Sequence, residues 1–173
     1  MNVGLDFARI VEDNQSLVFS LAVRFLRDRE VAAELSQDVF LRLYRQIDRI
    51  DSSAHATWWL RRAICHRCID ESRKRKLRPR IDIGSVPEPH AENRNPDLML
   101  NERLRKLVAM LPESARMVVL LRYQEDLDPS EIAEMLSMPI STVKSRLHRS
   151  LSFLRGKLEK LEICPVKEAH EYR

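Results

Sequence analysis

The sequence has little glycine, few cysteines and no long apolar run, and each shortage excludes a class of protein. Only 3 of its 173 residues are glycine, which argues against glycine-rich phosphate loops and against a turn-rich β architecture. No apolar run approaches the ~18 residues that a membrane span needs. The first residues lack a basic stretch followed by an apolar core, so no signal peptide is expected. These absences predict a cytoplasmic protein without membrane insertion.

The 3 cysteines cannot all pair with one another, and a cytoplasmic chain would keep them reduced. Cys65 and Cys68 have the spacing of half a zinc site, but no second cysteine pair completes it. Cys164, His170 and His90 could in principle supply further ligands. Because Cys65 and Cys68 fall within a helical pattern, we expect free thiols, no metal and no other cofactor.

Helical periodicity runs through the apolar residues of the chain, and 44% of all residues are hydrophobic. The sequence therefore predicts an all-α fold with a real core. A polar stretch interrupted by four prolines, between Leu77 and Pro96, has no apolar period and reads as an inter-domain linker. We predict two small helical domains and a polar tail, with boundaries 1–77, linker 78–96, 97–162 and tail 163–173. Predicted helices cover about 5–25, 28–49, 56–76, 96–111 and 113–123, followed by the pair described next.

A helix-turn-helix pattern starts at Asp128, which can cap a helix whose first residue is Pro129. Glu131 stands at the third helical position, where its carboxylate can reach back to the cap. Ser137-Met138-Pro139 breaks the run, and a second helix begins near Ile140. This spacing is typical of the DNA-binding motif.

The second helix of this pair has an apolar stripe and a polar face opposite to it. The stripe predicted to be buried comprises Val143, Leu147, Leu151, Leu154 and Leu158. The opposite face carries Ser141, Ser145, His148 and Arg149, with Thr142 and Lys144 on its shoulders. Between Ser141 and Lys157 there are five Lys or Arg residues and no acid. Small polar and long basic side chains suit a DNA major groove, although a solvated amphipathic helix would also show such a pattern.

Two helices of the first domain carry further candidate surfaces. The outer face of the second predicted helix presents Gln37, Asp38, Leu41, Arg42 and Arg45, which resembles a docking surface for a partner helix, although single exposed leucines are common. The third predicted helix combines aromatic and cationic side chains: Trp58, Trp59, Arg61, Arg62, His66, Arg67, Arg73 and Arg75. Such a mixture suits single-stranded nucleic acid, while the alternative is a pair of core tryptophans with a basic helix tail.

The sequence resembles the extracytoplasmic-function (ECF) group of bacterial RNA polymerase sigma factors over most of its length. AAELSQDVFLRLYRQID is similar to regions 2.1–2.2 of that family, and TWWLRRAICHRCIDESRKR to regions 2.3–2.4. After the linker, LPESARMVVLLRYQEDLDPSEIAEMLSMPISTVKSRLHRSLSFLR is similar to region 4. The two separated matches in the family's order are far more specific than a helix-turn-helix alone.

The resemblance implies roles for the candidate surfaces. The face around Leu41 would dock on the β′ clamp helices of core RNA polymerase, and region 4 would also meet the β flap. The Trp58–Arg75 segment, with the loop 51–56, would capture an unstacked base of the −10 element. Ser141, Thr142, Lys144, Ser145 and Arg149 would read the −35 element, with Arg146 and His148 nearer the phosphates. An anti-sigma factor is a further expected partner.

Two positions depart from the family pattern. His66 stands where the family usually has asparagine, and Ser137 replaces the usual glycine of the turn. Two other classes of function remain open from the sequence. One is a stand-alone helix-turn-helix regulator that dimerises through residues 1–77. The other is an enzyme, for which the sequence offers no nucleophile set, carboxylate pair or complete metal set.

Overall fold

The computed structural model describes residues 6–77 and 96–162, and its elements there are helical, as predicted. An N-terminal unit of three helices precedes a C-terminal unit of four. Their bounds are α1 Phe7–Leu26, α2 Arg29–Tyr44, α3 Ser53–Leu77, α4 Pro96–Ala109, α5 Glu113–Tyr123, α6 Pro129–Met135 and α7 Ile140–Glu162. Among these helices none has the length and apolarity to cross a membrane. The predicted linker, except Pro96, and the predicted tail lie outside the described residues.

The second helix is shorter than the predicted span of 28–49. It starts after Asp28, whose carboxylate accepts a hydrogen bond from the Val31 N–H at 3.1 Å, and it ends at Tyr44. The Gln46 N–H then bonds to the Leu43 carbonyl three residues back, and the chain tightens into a 3-10 turn over Ile47–Arg49. The apolar period of the sequence continues through this change, which is why periodicity alone did not locate it.

The N-terminal unit packs α1, α2 and α3 against one another. Its fully buried side chains include Leu21, Phe25, Val39, Leu43, Leu60 and Ile64. Two polar side chains are also buried here, and both bond to a carbonyl one turn back. Asn14 Nδ2 donates to the Ile10 carbonyl at 2.8 Å, and Ser36 Oγ donates to the Ala32 carbonyl at 2.6 Å.

The C-terminal unit buries one side of α5, α6 and α7, and it corrects one detail of the predicted stripe. Val143 and Leu154 are buried, but Leu151 is 39% exposed and Ser150 is only 2% exposed. At about 100° per residue, position 150 lies close to the direction of Val143, whereas position 151 points well away from it. The hydrophobicity of Leu151 masked this geometry in the sequence.

The two units also pack against each other, which the sequence did not predict. Helix α5 lies against α1 and α3, and one cluster of buried side chains runs from Phe25 and Leu60 to Met117 and Ile132. The closeness of the units therefore comes from shared apolar burial as well as from polar contacts.

Arg116 of α5 ties this junction together. Its guanidinium donates to the carbonyls of Phe25 at 3.1 Å, Ala109 at 2.5 Å and Leu111 at 3.2 Å. The same group lies over the Phe25 ring, 5.2 Å from its centroid. Burial lowers the pKa of Arg116, but an arginine stays charged. Arg116 thus holds the end of α4 and the end of α1 against α5.

Replacing Arg116 with alanine should lower the free energy of unfolding by about 2–4 kcal/mol, because three carbonyls lose a charged donor. Urea unfolding followed by circular dichroism measures the change. Arg155 of α7 is exposed and forms no hydrogen bond or ion pair within the described part of the chain, so Arg155→Ala is the matched control, with a change within about 0.5 kcal/mol. Equal stability of the two variants would contradict the role of Arg116.

Candidate nucleic-acid and polymerase interfaces

The helix-turn-helix of the C-terminal unit forms as the sequence predicts. Pro129 starts α6, and the Glu131 carboxylate accepts the Asp128 N–H at 2.7 Å as a capping box. The turn between α6 and α7 depends on Ser137, whose φ of 52° lies in the left-handed region. Glycine adopts that conformation without strain and serine does not, so the departure from the family pattern carries a backbone cost.

The outer face of α7 is open in the predicted manner. Ser141, Lys144, His148 and Arg149 are exposed, and Ser145 is half-buried. Arg149 Nη2 donates to Ser145 Oγ at 3.4 Å, so these two side chains form one polar group on the face. Arg146 differs, because its Nη1 lies 3.3 Å from the Met138 sulfur in the turn. Thr142 is half-buried at the start of the helix.

The outer face of α2 is both exposed and apolar at its centre. Leu41 is 49% exposed and Tyr44 is 59% exposed, with Gln37, Arg42 and Arg45 exposed around them. Tyr44 was missing from the predicted set, although its spacing of three from Leu41 places it on the same face. Asp38 is only partly available, because its Oδ2 accepts from Arg67 Nη2 at 2.5 Å and lies 3.6 Å from Arg42 Nε.

The tryptophans of α3 are neither core residues nor free side chains. Trp58 and Trp59 are both half-buried at the edge of the core. The Arg62 guanidinium lies 5.3 Å from the Trp58 ring centroid, so the predicted mixture of aromatic and cationic groups exists as a stacked pair. The buried part of each tryptophan therefore fits the interpretation as a core residue, and its exposed part fits the interpretation as a surface for single-stranded nucleic acid.

Two arginines and a histidine of α3 point at the C-terminal unit. Arg61 Nη2 lies 3.4 Å from the Glu125 carboxylate. Arg62 donates to the Glu134 carbonyl at 2.7 Å and to Ser137 Oγ at 2.8 Å. His66 Nε2 lies 3.0 Å from the Met135 carbonyl oxygen, so this nitrogen must carry the proton to donate. Glu125 is a residue that sequence reasoning missed, because an acid in a loop carries no periodic signal.

The three remaining arginines of the predicted set are bound within the N-terminal unit. Arg67 pairs with Asp38, and Arg73 lies 3.8 Å from Asp70. Arg75 pairs with Asp28 at 3.0 Å and with Glu71 at 3.2 Å. All eight residues of the predicted set thus lie on one helix. They differ in the partners that already occupy their side chains, and so in how easily each could bind a ligand.

The cysteines of α3 are buried and free. Burial raises the pKa of the Cys68 thiol to about 12 and also raises that of Cys65. Both are therefore neutral thiols at physiological pH. Across residues 6–77 and 96–162, no group of three or more Cys, His, Asp or Glu side chains is arranged to hold a metal ion. Cys164, His170 and His90 lie outside the described residues.

Comparison with known proteins decides the family. The profile of sigma-70 region 2 matches residues 10–78, and that of sigma-70 region 4 matches residues 101–154. The ECF RNA polymerase sigma factor SigW of Bacillus subtilis is 30% identical over 172 residues, which cover 90% of this chain and 90% of SigW. The ECF RNA polymerase sigma-E factor of Escherichia coli is 30% identical over 168 residues, covering 90% and 87%. The chain belongs to the ECF sigma factors.

Two solved structures share the fold of this ECF sigma factor. The sigma factor RpoE of Bartonella quintana, solved in complex with the anti-sigma factor NepR, matches with a TM-score of 0.69 at 21% identity, over 89% of this chain and 97% of that one. The PhyRSL–NepR complex of Sphingomonas sp. Fr1 matches with a TM-score of 0.61 at 12% identity, over 98% and 99%. The predicted all-α arrangement of a region 2 unit and a region 4 unit is confirmed.

As an ECF sigma factor, the protein directs core RNA polymerase to specific promoters and is not itself an enzyme. Its partners are core RNA polymerase and promoter DNA. The match of α1–α3 to region 2 also removes the hypothesis of a stand-alone regulator with a dimerisation domain. The individual residues assigned to each partner stay predictions.

The ion pair between Asp28 and Arg75 joins the start of α2 to α3, and its contribution to stability can be tested by varying the pH. The Val31 N–H and Arg75 lower the pKa of Asp28 below its ordinary value near 3.8. A carboxyl with a lowered pKa contributes stability above its unfolded pKa, and that contribution is lost as the pH falls through its folded pKa.

Asp28→Asn keeps a capping side chain and removes the charge. At pH 7 we expect a loss of less than about 1 kcal/mol in the free energy of unfolding, because the pair is partly exposed. The difference from wild type should shrink between pH 5 and pH 3, as measured by urea unfolding at each pH. Asp70→Asn, which removes an exposed acid on α3, is the control. A difference for Asp28→Asn that stays constant with pH would contradict the assignment.

Proposed function

We propose that this sigma factor reads the −35 element with α7, captures the −10 strand with α3, and docks on the β′ clamp helices with α2. The observation that carries this proposal is the presence of three chemically distinct faces on three helices of a region 2 and region 4 fold. The α7 face carries small polar and basic side chains. The α3 face carries aromatic and cationic side chains, and the α2 face has an apolar centre with a charged rim. We place the activity in the cytoplasm, where transcription starts.

The −35 assignment is supported by the chemistry of the α7 face. Arg149 and Ser145 are joined by a hydrogen bond, and a guanidinium with a neighbouring hydroxyl can donate to the acceptor edges of bases in the major groove. Lys144 and His148 are exposed beside them and suit phosphate contacts. Arg146 is held at the turn by Met138, which favours a backbone contact for it as well.

The −10 assignment is supported by the half-buried tryptophans. A base that leaves the duplex needs an aromatic surface that is fixed in place. Trp58 and Trp59 are anchored on one side by the core and lie next to Arg61, Arg62 and His66. The anchoring removes side-chain freedom before the base arrives, which lowers the entropic cost of capture.

The polymerase assignment is supported by the apolar centre of the α2 face. Leu41 and Tyr44 are exposed one turn apart, and Arg42 and Arg45 flank them. Amphipathic helices bind partner helices through such anchors, with the charges fixing orientation. Contact of region 4 with the β flap is part of the same proposal.

Control by an anti-sigma factor is a further part of the proposal. The Bartonella quintana structure with the same fold contains a sigma factor bound to the anti-sigma factor NepR. The fold similarity supports a partner of this class for the present chain. Pull-down from cells with the intact protein would identify this anti-sigma partner and the signal that releases it.

Arg149→Ala should weaken discrimination at one −35 position by about 1–3 kcal/mol, the usual worth of a base contact. The measurement is selection of promoters from a randomised library by holoenzyme, followed by binding to the selected promoter and its single-base variants. Arg155→Ala, an exposed arginine further along α7, is the control and should only reduce binding slightly and uniformly. An unchanged preference in Arg149→Ala would mean that another face reads the DNA.

Arg42→Glu should weaken binding to core RNA polymerase by about tenfold or more, because a charge at the rim of an apolar anchor is reversed. Fluorescence anisotropy of labelled sigma factor titrated with core polymerase measures the affinity. Arg9→Glu reverses an exposed charge on α1, where only a surface pair with Asp13 is lost. Equal affinity of the two variants would remove the α2 face as the docking site.

A further inference from the structure

Helix α7, assigned above to the −35 element, begins with an exposed isoleucine. Ile140 is 44% exposed, whereas Val143, three residues further on, is fully buried. Single exposed apolar residues are common on protein surfaces, so exposure alone assigns no role to Ile140. Its position does, because the N-terminal residues of the second helix in a helix-turn-helix are those that meet base edges in the major groove.

The start of α7 is fixed by backbone hydrogen bonds and by burial of its first inward-facing residue. The Thr142 and Val143 N–H groups donate to the Pro139 carbonyl at 2.9 Å and 3.2 Å, and Val143 belongs to the hydrophobic core. Side chains on a helix lean toward its N-terminus, and no earlier turn of α7 precedes Ile140. The Ile140 side chain therefore projects at the end of the helix that meets the bases.

The chemistry of Ile140 differs from that of its neighbours in the first two turns of α7. Ser141 and Lys144 are exposed, and Ser145 is half-buried. These side chains can form hydrogen bonds to base edges and phosphates, whereas the Ile140 side chain can form none. The apolar group that base pairs present in the major groove is the 5-methyl group of thymine. An isoleucine at this place is therefore complementary to thymine.

We propose that Ile140 packs against the methyl group of one thymine in the −35 element and thereby specifies an A·T pair at that position. The inference rests on the proposed assignment of α7 to the −35 element, and it adds an apolar contact to a face whose other candidates form hydrogen bonds. Burial of one methyl group corresponds to about a fourfold difference in affinity.

Deoxyuridine provides the test, because it keeps every hydrogen-bonding group of thymine and lacks only the methyl group. Holoenzyme containing the full chain first selects a promoter from a randomised library. Each thymine in either strand of the selected −35 element is then replaced singly by deoxyuridine. Competition binding measures the affinity of holoenzyme for each substituted duplex relative to the unsubstituted one.

Three variants isolate the contribution of the Ile140 side chain. Ile140→Ala removes the apolar contact at an exposed position, and Ile140→Val keeps a branched apolar side chain there. Leu151→Ala is the matched control, because Leu151 is also an exposed aliphatic residue of α7, at 39%. It lies within about 20° of the direction of Ile140 around the helix axis, but about 16 Å further along the helix.

In the wild type, deoxyuridine at one position should weaken binding about fourfold. Ile140→Ala should bind the thymine and deoxyuridine duplexes equally, with the affinity that the wild type has for the deoxyuridine duplex. Ile140→Val and Leu151→Ala should keep the wild-type response to deoxyuridine. Circular dichroism melting checks that each variant is folded.

The outcomes separate this inference from the proposed function. Ile140 does not read a methyl group if no deoxyuridine weakens binding of the wild type, if the response persists in Ile140→Ala, or if Leu151→Ala loses it equally. When Arg149→Ala relaxes the −35 preference in the same assay, such a result overturns the role of Ile140 and leaves the assignment of α7 intact. When neither Arg149→Ala nor Ile140→Ala alters the preference, the assignment of α7 to the −35 element fails as well.

Discussion

The row of cationic side chains along α3 is the constraint to which the rest of the structure responds. A partly buried charge must find an acceptor or remain hydrated, because an unpaired buried charge costs several kcal/mol. The neighbouring elements supply these acceptors. Asp28, which caps α2, and Asp38 within α2 meet Arg75 and Arg67. The C-terminal unit brings carbonyls to Arg62 and His66 and carboxylates to Arg61 and Lys76. The orientation of α2 on α3, and of the C-terminal unit on α1 and α3, follows from these pairings together with apolar burial.

This arrangement lets one helix be both a scaffold and the recognition surface that we propose for the −10 strand. The inner side of α3 is anchored by buried residues such as Leu60 and Ile64, so its outer side is presented on a rigid support. The tryptophans stand at the border between the two sides and gain their orientation from the core. A sigma factor needs such a border, because a base pulled from a duplex must meet a surface that is already in place.

The sequence predicted the helices and the helix-turn-helix, because caps and apolar spacing are local signals. Asp28 and Asp128 stand where capping chemistry places helix starts, and the structure has helices there. The prediction was wrong at the end of α2, where the period continued through a change to a 3-10 turn, and at Leu151, where residue type hid the helical angle. The contact between the units was not predicted. Its decisive residues, Glu125 and the carbonyls of α6, are a loop acid and backbone groups, and neither leaves a pattern in a sequence.

Asp38 has a consequence for genetic studies of this protein. One oxygen of its carboxylate, Oδ2, faces both Arg42 of the proposed docking surface and Arg67 of the helix that we propose captures the strand. A substitution at this position would alter two surfaces with one codon change, and compensating second-site changes could arise on either helix. If the two surfaces have the roles proposed for them, a functional map assembled from mutant phenotypes would join polymerase binding and promoter opening at Asp38, even though the ligands of the two surfaces differ.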